Sequence, residues 1–471
     1  MSGDGGYEFD LVVLGAGPAG EKGAVQAAYF GKRVAIVERE REPGGAAVHT
    51  GTLPSKTLRE TALYLSGYRA RELYGVAVAL EPAATIPLLS SRRRAIEAAA
   101  ARAFRRNFER HGVNYFEGEA RFVGPHEVAV RSSAGERVIR GELVLIATGS
   151  RPHRPDGVDF ADPAIHDSDE VLTIETLPRS LTILGGGVIG CEYACMFAAL
   201  GVEVVLVDAR PEILPFLDLE IVGRLKSAMA RLGVRVVQGI GWRGVERRGA
   251  TIVATLAGGQ TLDSDHLLYT AGRVGRTQGL GLETIGLAAD ARGYLAVDAG
   301  YRTALPHVLA AGDVIGFPAL ASVSMEQGRV AVCRAFGFPY KQAVAATMPY
   351  GIYTIPEVSA FGETEQSCRE KGIDYVVGRA LYADNPRGRI AGDLEGITKL
   401  VVEVGSRRLL GVHVVGERAC ELIHIGQGVV HLGGSVDVFI DMVFNYPTLA
   451  DSYKYAAYEC LAALARRARG G

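Results

Sequence analysis

Three glycines, Gly15, Gly17 and Gly20, stand in the spacing G-x-G-x-x-G, and an acid, Glu38, follows 23 positions after the first of them. The set returns 170 residues later as Gly185, Gly187, Gly190 and Asp208, with Gly201 matching Gly31. Residues of these types at this spacing suit one kind of chemistry. The first glycine permits a tight turn, the second lets the backbone approach a pyrophosphate, and the third allows a helix to pack closely on a strand. The helix that follows offers free N–H groups and the positive end of its dipole to the phosphates. The distant carboxylate accepts the ribose hydroxyls.

Such residues act only if the elements around them are of the right kind. Asp10-Leu-Val-Val-Leu-Gly15 reads as a buried strand, an alanine-rich helical stretch runs to Phe30, and Arg33-Val-Ala-Ile-Val-Glu38 reads as a second strand. The later copy has Leu181–Gly185, a helix to Leu200, and Val204–Asp208. Glycine-rich turns between strand and helix also arise from packing alone. Two copies at identical spacing, each ending in an acid, make two dinucleotide sites the better reading.

Two dinucleotides in one chain point to a nicotinamide and a flavin, because a flavin takes a hydride from a nicotinamide and passes it on. Val144-Leu-Ile-Ala-Thr148-Gly149 reads as a buried strand that turns tightly. Leu309-Ala-Ala-Gly312-Asp313 is a further strand ending in Gly-Asp, with a carboxylate placed to bind a polyol hydroxyl.

In these residues and their order the chain resembles the two-dinucleotide flavoprotein family that includes glutathione reductase, dihydrolipoamide dehydrogenase and mercuric reductase. The resemblance implies an α/β fold: two Rossmann-like dinucleotide-binding domains, for FAD and NAD(P), plus a C-terminal α+β dimerisation domain that makes a homodimer. It implies a split FAD-binding domain over 1–155 and 280–345, an NAD(P)-binding domain over 156–279, and an interface domain over 346–471. The implied cofactor-binding set is Gly15, Gly17, Pro18, Ala19, Gly20, Glu38, Arg39, Gly44, Gly45, Lys56, Ala120, Thr148, Gly149, Gly312, Asp313 and Ala321. It continues with Gly185, Gly187, Val188, Ile189, Gly190, Asp208, Arg210 and Gly272.

The stretch Gly44-Gly45-Ala46-Ala47-Val48-His49-Thr50-Gly51-Thr52-Leu53-Pro54-Ser55-Lys56 is where the chain departs from the disulfide reductases, which carry cysteines at the positions of Ala47 and Thr52. An alanine and a threonine form neither a disulfide nor a thiolate, so the dithiol half-reaction has no chemistry at this place. The family's catalytic histidine is replaced as well: Asn445-Tyr446-Pro447-Thr448 puts Tyr446 at its position and Asp451 at that of the glutamate which orients it. A phenol with a pKa of about 10 is a poor base for thiol chemistry.

Thr-Gly-Thr-Leu-Pro-Ser-Lys, Phe444-Asn-Tyr-Pro-Thr and Tyr350-Gly-Ile-Tyr-Thr-Ile-Pro-Glu357 are similar to the soluble pyridine nucleotide transhydrogenases of that family. Ala47 departs from many of those enzymes, which keep the first cysteine. The expected reaction is hydride transfer from NAD(P)H through FAD N5 to a second nicotinamide nucleotide. An NAD(P)H-dependent quinone reductase, diaphorase or specialised-metabolite reductase is the alternative, and a flavoprotein that has lost turnover is a third. The expected catalytic residues are Lys56, Glu192, Tyr446, Thr52 and His49. By resemblance Lys56 pairs with Glu192 near the flavin; an ion pair that merely joins domains is the plainer reading of the two. His49 either moves a proton or anchors backbone. Val188 stands where many relatives have a gating tyrosine. Asp208 favours NAD, whereas Arg210 two residues on offers a cation to the 2′-phosphate of NADP.

Composition narrows the field further. Of 471 residues 60 are glycine without a collagen period, 48% are hydrophobic and 22% charged, which excludes a disordered chain. A formal charge of −2 offers no field for nucleic acid or an anionic membrane. No secretory leader or membrane-spanning run is legible, so a soluble cytoplasmic protein is expected. Six cysteines form no CxxC pair, and no histidine spacing suggests a metal. Cys191 and Cys195 are expected on one helix face as ordinary buried thiols. The arginines from Arg92 to Arg110 read as the solvated face of an amphipathic helix.

Overall fold

The computed structural model describes residues 6–68, 73–75 and 82–470. Strand β1 (Phe9–Leu14) is nearly all apolar and buried, as a strand covered on both faces requires. Helix Pro18–Tyr29 follows it and leads to β2 (Val34–Glu38), every residue of which is buried. The short helix Gly45–His49 and the helix Thr52–Leu65 carry the chain across the top of this unit. Helix Pro82–Arg110 then returns it to β3 (Asn114–Glu117); Arg92, Arg94, Arg102, Arg106 and Arg110 are exposed as expected, whereas Arg93 turns inward and pairs with Glu97 (2.7 Å).

Next come β4 (Glu119–Gly124), β5 (Glu127–Ser132) and the long β6 (Gly135–Ile146). The first half of β6 pairs antiparallel with β5; its second half pairs parallel with β1. One strand thus serves both a meander and the Rossmann sheet, whose order is β3-β2-β1-β6-β5-β4.

The chain leaves through β7 (Ser150–Pro152) into a second parallel sheet. This contains β8 (Ile165–Asp167), β9 (Ser180–Leu184), β10 (Glu203–Asp208) and β11 (Val234–Gln238). An antiparallel meander of β12 (Trp242–Arg248), β13 (Thr251–Leu256) and β14 (Thr261–Ser264) precedes β15 (His266–Tyr269), and the sheet order is β11-β10-β9-β15-β8. The core order and the appended meander repeat those of the first sheet, so the internal repeat extends well beyond the glycine-rich turns. The chain returns through β16 (Arg273–Gly275), antiparallel to β7, and β17 (Val308–Ala310) then joins β6.

Helix Ala321–Ala335 packs on helix Pro18–Tyr29 at a distance only glycine permits: a Cβ on Gly328 would stand 2.1 Å from the Ala19 carbonyl oxygen. The C-terminal part is an antiparallel sheet of β18 (Tyr350–Ile352), β19 (Val358–Gly362), β20 (Tyr375–Leu381), β21 (Ile397–Glu403) and β22 (Leu409–Val415) in the order β18-β19-β22-β21-β20. Helices Ala419–His431 and Ser452–Gly470 cover it. No helix among the described residues is long and apolar enough to cross a membrane. Ile352, Ile355 and Val358 enter the hydrophobic core of the second Rossmann unit, so the C-terminal sheet is packed against that unit rather than tethered to it.

Candidate active site

The two glycine-rich turns are superimposable in their chemistry. Gly15 and Gly185 have φ of +101° and +118°, a region that side chains disfavour. A Cβ on Gly20 or Gly190 would lie 1.9 Å from the carbonyl oxygen of Gly15 or Gly185. Gly17 and Gly187 differ from them: a Cβ on Gly17 would meet nothing nearer than 3.8 Å, and one on Gly187 nothing within 4 Å, so their backbones face open space where a phosphate can approach. The acids repeat too. Glu38 accepts from the backbone N–H of Ala16 (2.7 Å) and Glu40 (3.0 Å), and Asp208 from those of Gly186 (2.6 Å) and Arg210 (2.8 Å).

Both turns open on one continuous cleft of about 1820 Å³. Gly15, Gly17, Pro18, Ala19, Glu38, Arg39, Gly45, Ala120, Thr148, Gly149, Gly312, Asp313 and Ala321 line one part, and Gly185, Gly187, Val188, Ile189, Asp208, Arg210 and Gly272 the other. Ala47, His49, Thr52, Lys56 and Glu192 lie on its walls as well. Four of the expected residues do not line it. Gly20 and Gly190 sit behind their turns, where they act through packing. Gly44 supports the loop by donating its N–H to the Ala16 carbonyl (2.9 Å). Tyr446, 73% exposed on the C-terminal domain, does not line the cleft of its own chain.

A flavin dinucleotide fits the first part of the cleft on the chemistry of its donors. Among the described residues Glu38 uses its carboxylate for two backbone donors only, leaving acceptor sites for a ribose diol. Thr148 Oγ1 is buried at the wall without a hydrogen-bond partner, a polar atom that a ligand would satisfy. Asp313 is held for a polyol by Ser150, whose Oγ donates to Asp313 Oδ2 (2.8 Å) and accepts from Arg273 Nε (2.8 Å).

Where the two parts meet, Lys56 Nζ stands 2.9 and 2.8 Å from the two carboxylate oxygens of Glu192. Lys56 lies on the first turn of helix Thr52–Leu65, Glu192 on helix Val188–Ala199 of the other unit, and Glu192 is only 3% exposed. Tyr353 from the C-terminal domain completes the group. Its N–H donates to Glu192 Oε1 (2.9 Å) and its ring centroid lies 4.9 Å from Lys56 Nζ. Burial, followed by the neighbouring Cys420 and Glu357, pushes the Tyr353 phenol above its ordinary range. His49 Nε2 stands 3.0 Å from the Pro43 carbonyl, the backbone-anchoring arrangement.

All six cysteines are free and buried. Burial pushes the Cys195 and Cys420 thiols up to about 12 and Cys191 well above its usual value. Cys420, the thiol that lines the cleft, is therefore protonated at neutral pH. Arsenite is accordingly expected to leave flavin reduction by NADPH unchanged, and two-electron reduction is expected to produce no thiolate-to-flavin charge-transfer absorbance. Inhibition or such a band, followed by anaerobic spectroscopy, would contradict this.

Sequence reasoning missed Tyr353, Cys420 and the Arg273–Ser150–Asp313 chain. The Tyr353 motif was visible, but nothing in it says that the tyrosine backbone would hold a glutamate 161 positions away.

A family model described as pyridine nucleotide-disulphide oxidoreductase matches residues 9–328, and the dimerisation domain of the same name matches 348–457. The soluble pyridine nucleotide transhydrogenase of Mycobacterium tuberculosis (strain ATCC 25177 / H37Ra) is 44% identical over 456 residues, covering 96% of this chain and 97% of that protein. The one of Hahella chejuensis is 39% identical, covering 96% and 98%. Among solved structures the chain is similar to the Cu(II) complex of the HOCl-induced flavoprotein disulfide reductase RclA from Escherichia coli, with a TM-score of 0.87, 27% identity and coverage of 96% and 99%. LpdA from Mycobacterium tuberculosis gives the same TM-score and identity, with coverage of 95% and 98%.

Proposed function

The chain belongs to the pyridine nucleotide-disulphide oxidoreductase family, and from that premise we propose that it is an FAD-dependent NAD(P) transhydrogenase that works without a redox disulfide. The observation that carries this reading is a cleft with two dinucleotide cradles and no thiol pair between them, Ala47 and Thr52 standing on its wall instead. FAD bound in the first cradle supplies the chemistry: it accepts a hydride from one nicotinamide and gives it to the next acceptor.

The chain's own residues orient and polarise. The turn at Gly15–Gly20 and Glu38 hold the adenosine pyrophosphate end, while Thr148, Gly312 and Asp313 hold the polyol. The turn at Gly185–Gly190 seats the nicotinamide nucleotide, and Val188 leaves room for one to leave and another to enter. Lys56 fixes a positive charge where negative charge develops on reduction, and Glu192 positions it. His49 anchors the loop through Pro43, and Thr52 and Tyr446 supply no base. The FAD-binding domain takes in 1–155 and 280–345, the nicotinamide domain 156–279 and the interface domain 346–471. The last makes a homodimer; the exposed Leu432, Val443 and Tyr446 provide apolar surface for it. Unpaired thiols suit a cytoplasmic setting.

The test is anaerobic stopped flow. The yellow protein is reduced with NADPH and then mixed with thio-NAD or a quinone. Reoxidation by thio-NAD at a rate comparable to reduction is expected; fast reoxidation by the quinone with none by the nucleotide would replace this reading with a quinone reductase.

A further inference from the structure

The second cradle is bordered by a cation that reaches it from the segment between β16 and β17, after the chain has left the second parallel sheet. This is Arg292, on a turn that Asp290 Oδ1 holds by accepting the N–H groups of Arg292 and Tyr294 (both 2.8 Å). The turn packs onto β16 more closely than side chains would allow: a Cβ on Gly275 would stand 2.0 Å from the Gly293 carbonyl oxygen. The Arg292 carbonyl accepts from the Gly275 N–H (2.8 Å), which fixes the backbone of the residue. Its guanidinium is fixed as well. Nη2 donates to the Arg273 carbonyl (2.9 Å), the Tyr294 hydroxyl donates to the same oxygen (2.7 Å), and the guanidinium carbon lies 5.5 Å from the centre of the Tyr294 ring.

The guanidinium is held at the mouth of the second glycine-rich turn. Nη2 lies 3.5 Å from where a Cβ on Gly272 would stand, and the preceding residue, Ala271, lies against the turn itself, since a Cβ on Gly185 would meet its nitrogen at 2.9 Å. Gly272, Arg292 and Tyr294 all line the cleft. The neighbouring cations have carboxylates: Arg210 has Asp208 (2.6 Å), and Arg273 and Arg276 have Asp169 (3.6 and 3.9 Å). Arg292 makes no ion pair among the described residues, and only one of its N–H groups is taken. A positive charge is thus fixed beside a phosphate-binding turn with no anion of the protein to meet it.

Resting on the reading of the second cradle as the nicotinamide nucleotide site, we propose that Arg292 is the arm that binds the pyrophosphate of that nucleotide. The turn at Gly185–Gly190 offers N–H groups and a helix dipole from one side; Arg292 offers a full charge and free N–H donors from the other. The contact crosses domains, because Arg292 belongs to the part of the chain that carries the FAD cradle. The pyrophosphate is common to NAD(H) and NADP(H), so Arg292 strengthens the binding of both and takes no part in choosing between them.

The chain contains one tryptophan, Trp242, and it lines the same cleft, so its fluorescence reports binding without turnover. FAD-loaded enzyme is titrated with ADP-ribose, which has the pyrophosphate but no nicotinamide to exchange a hydride. Arg292→Met is expected to weaken ADP-ribose about 10- to 100-fold while FAD content stays at the wild-type level. The fall of affinity with added salt should also be less steep in Arg292→Met than in wild type, since one charge has left the contact. Arg292→Lys, which keeps the charge but not the fork, should fall between the two. An Arg292→Met enzyme that binds ADP-ribose as wild type does overturns the proposal. So does a loss that Arg292→Lys fails to restore in part, or one that leaves the salt dependence unchanged, for then the side chain only packs the turn onto β16. The predicted binding pattern in an enzyme whose reduced flavin never returns a hydride to thio-NAD upholds Arg292 and removes only the transhydrogenase reading.

Discussion

Replacing Lys56 by methionine is expected to slow bleaching of the flavin by saturating NADPH about 100- to 1000-fold, the range seen when one preorganised charge is removed from a reacting centre. Two features make the effect large. The ammonium is held by both Glu192 oxygens and by the Tyr353 ring, so it does not reorganise as charge develops. Its partner is also buried, so Lys56→Met leaves a carboxylate that is 3% exposed with the Tyr353 N–H as its remaining donor. That uncompensated charge adds a stability loss of about 3–5 kcal/mol.

Glu192→Gln separates the two roles. The amide oxygen still accepts from Tyr353, and Lys56, whose side chain is 26% exposed, keeps its charge with solvent as a partner. Its reduction rate is expected to fall only about tenfold, since positioning rather than charge is lost. Stopped-flow absorbance on samples of verified FAD content reads both variants. A Lys56→Met enzyme that bleaches at the wild-type rate would reduce the pair to a pin between domains.

The cradles were legible because each is local. The glycines, the helix they open and the acid that closes the unit lie within about thirty residues, and the backbone frame they imply is the one observed at both 16–40 and 186–210. The meanders were not legible as part of the repeat, because β4–β6 and β12–β14 share antiparallel order but neither register nor residue pattern. The groups that join the cradles were hidden for another reason. Asp313 is legible from its Gly-Asp strand end, but Ser150 and Arg273 are ordinary surface types in sequence, and only the crossing of β7 with β16 brings them onto it in one chain of hydrogen bonds. Tyr446 shows a different limit: its motif is read by position along the chain, and position along the chain does not say that the segment lies exposed on the C-terminal domain, away from the cleft of its own chain.

Lys399 carries the second large effect, in stability rather than rate. It is fully buried on β21, with Nζ 2.6 Å from Asp218 Oδ1, 2.6 Å from Glu365 Oε1 and 2.9 Å from Glu220 Oε2. Asp218 caps the helix Leu219–Arg231 of the second Rossmann unit, and Arg379 on β20 pairs with Glu220, so the network fastens that unit to the C-terminal sheet. The three carboxylates converge as metal ligands would, but they close on an ammonium. Burial pushes all three carboxyls up; hydrogen bonds and charge from Lys399 and Arg379 outweigh it and leave them below their ordinary values. His413, buried beside them, is pushed down by burial. Lys399→Met is therefore expected to cost about 3–5 kcal/mol at pH 7, because it strands the buried Asp218 carboxylate, while the part-exposed Glu220 and Glu365 keep Arg379. A carboxyl held low in the folded state contributes stability that is present above its unfolded value, about pH 4, and is lost as pH falls through the folded value. In the variant burial acts without the ammonium, the carboxyls rise, and protonation relieves them. The stability gap between wild type and variant should thus be full at pH 7 and narrow as pH falls, first through the raised carboxyl values of the variant, above about 4, and then further through the lowered values of the wild type, below about 4. Urea midpoints at both pH values measure it; equal midpoints at pH 7 would mean that the network fastens nothing.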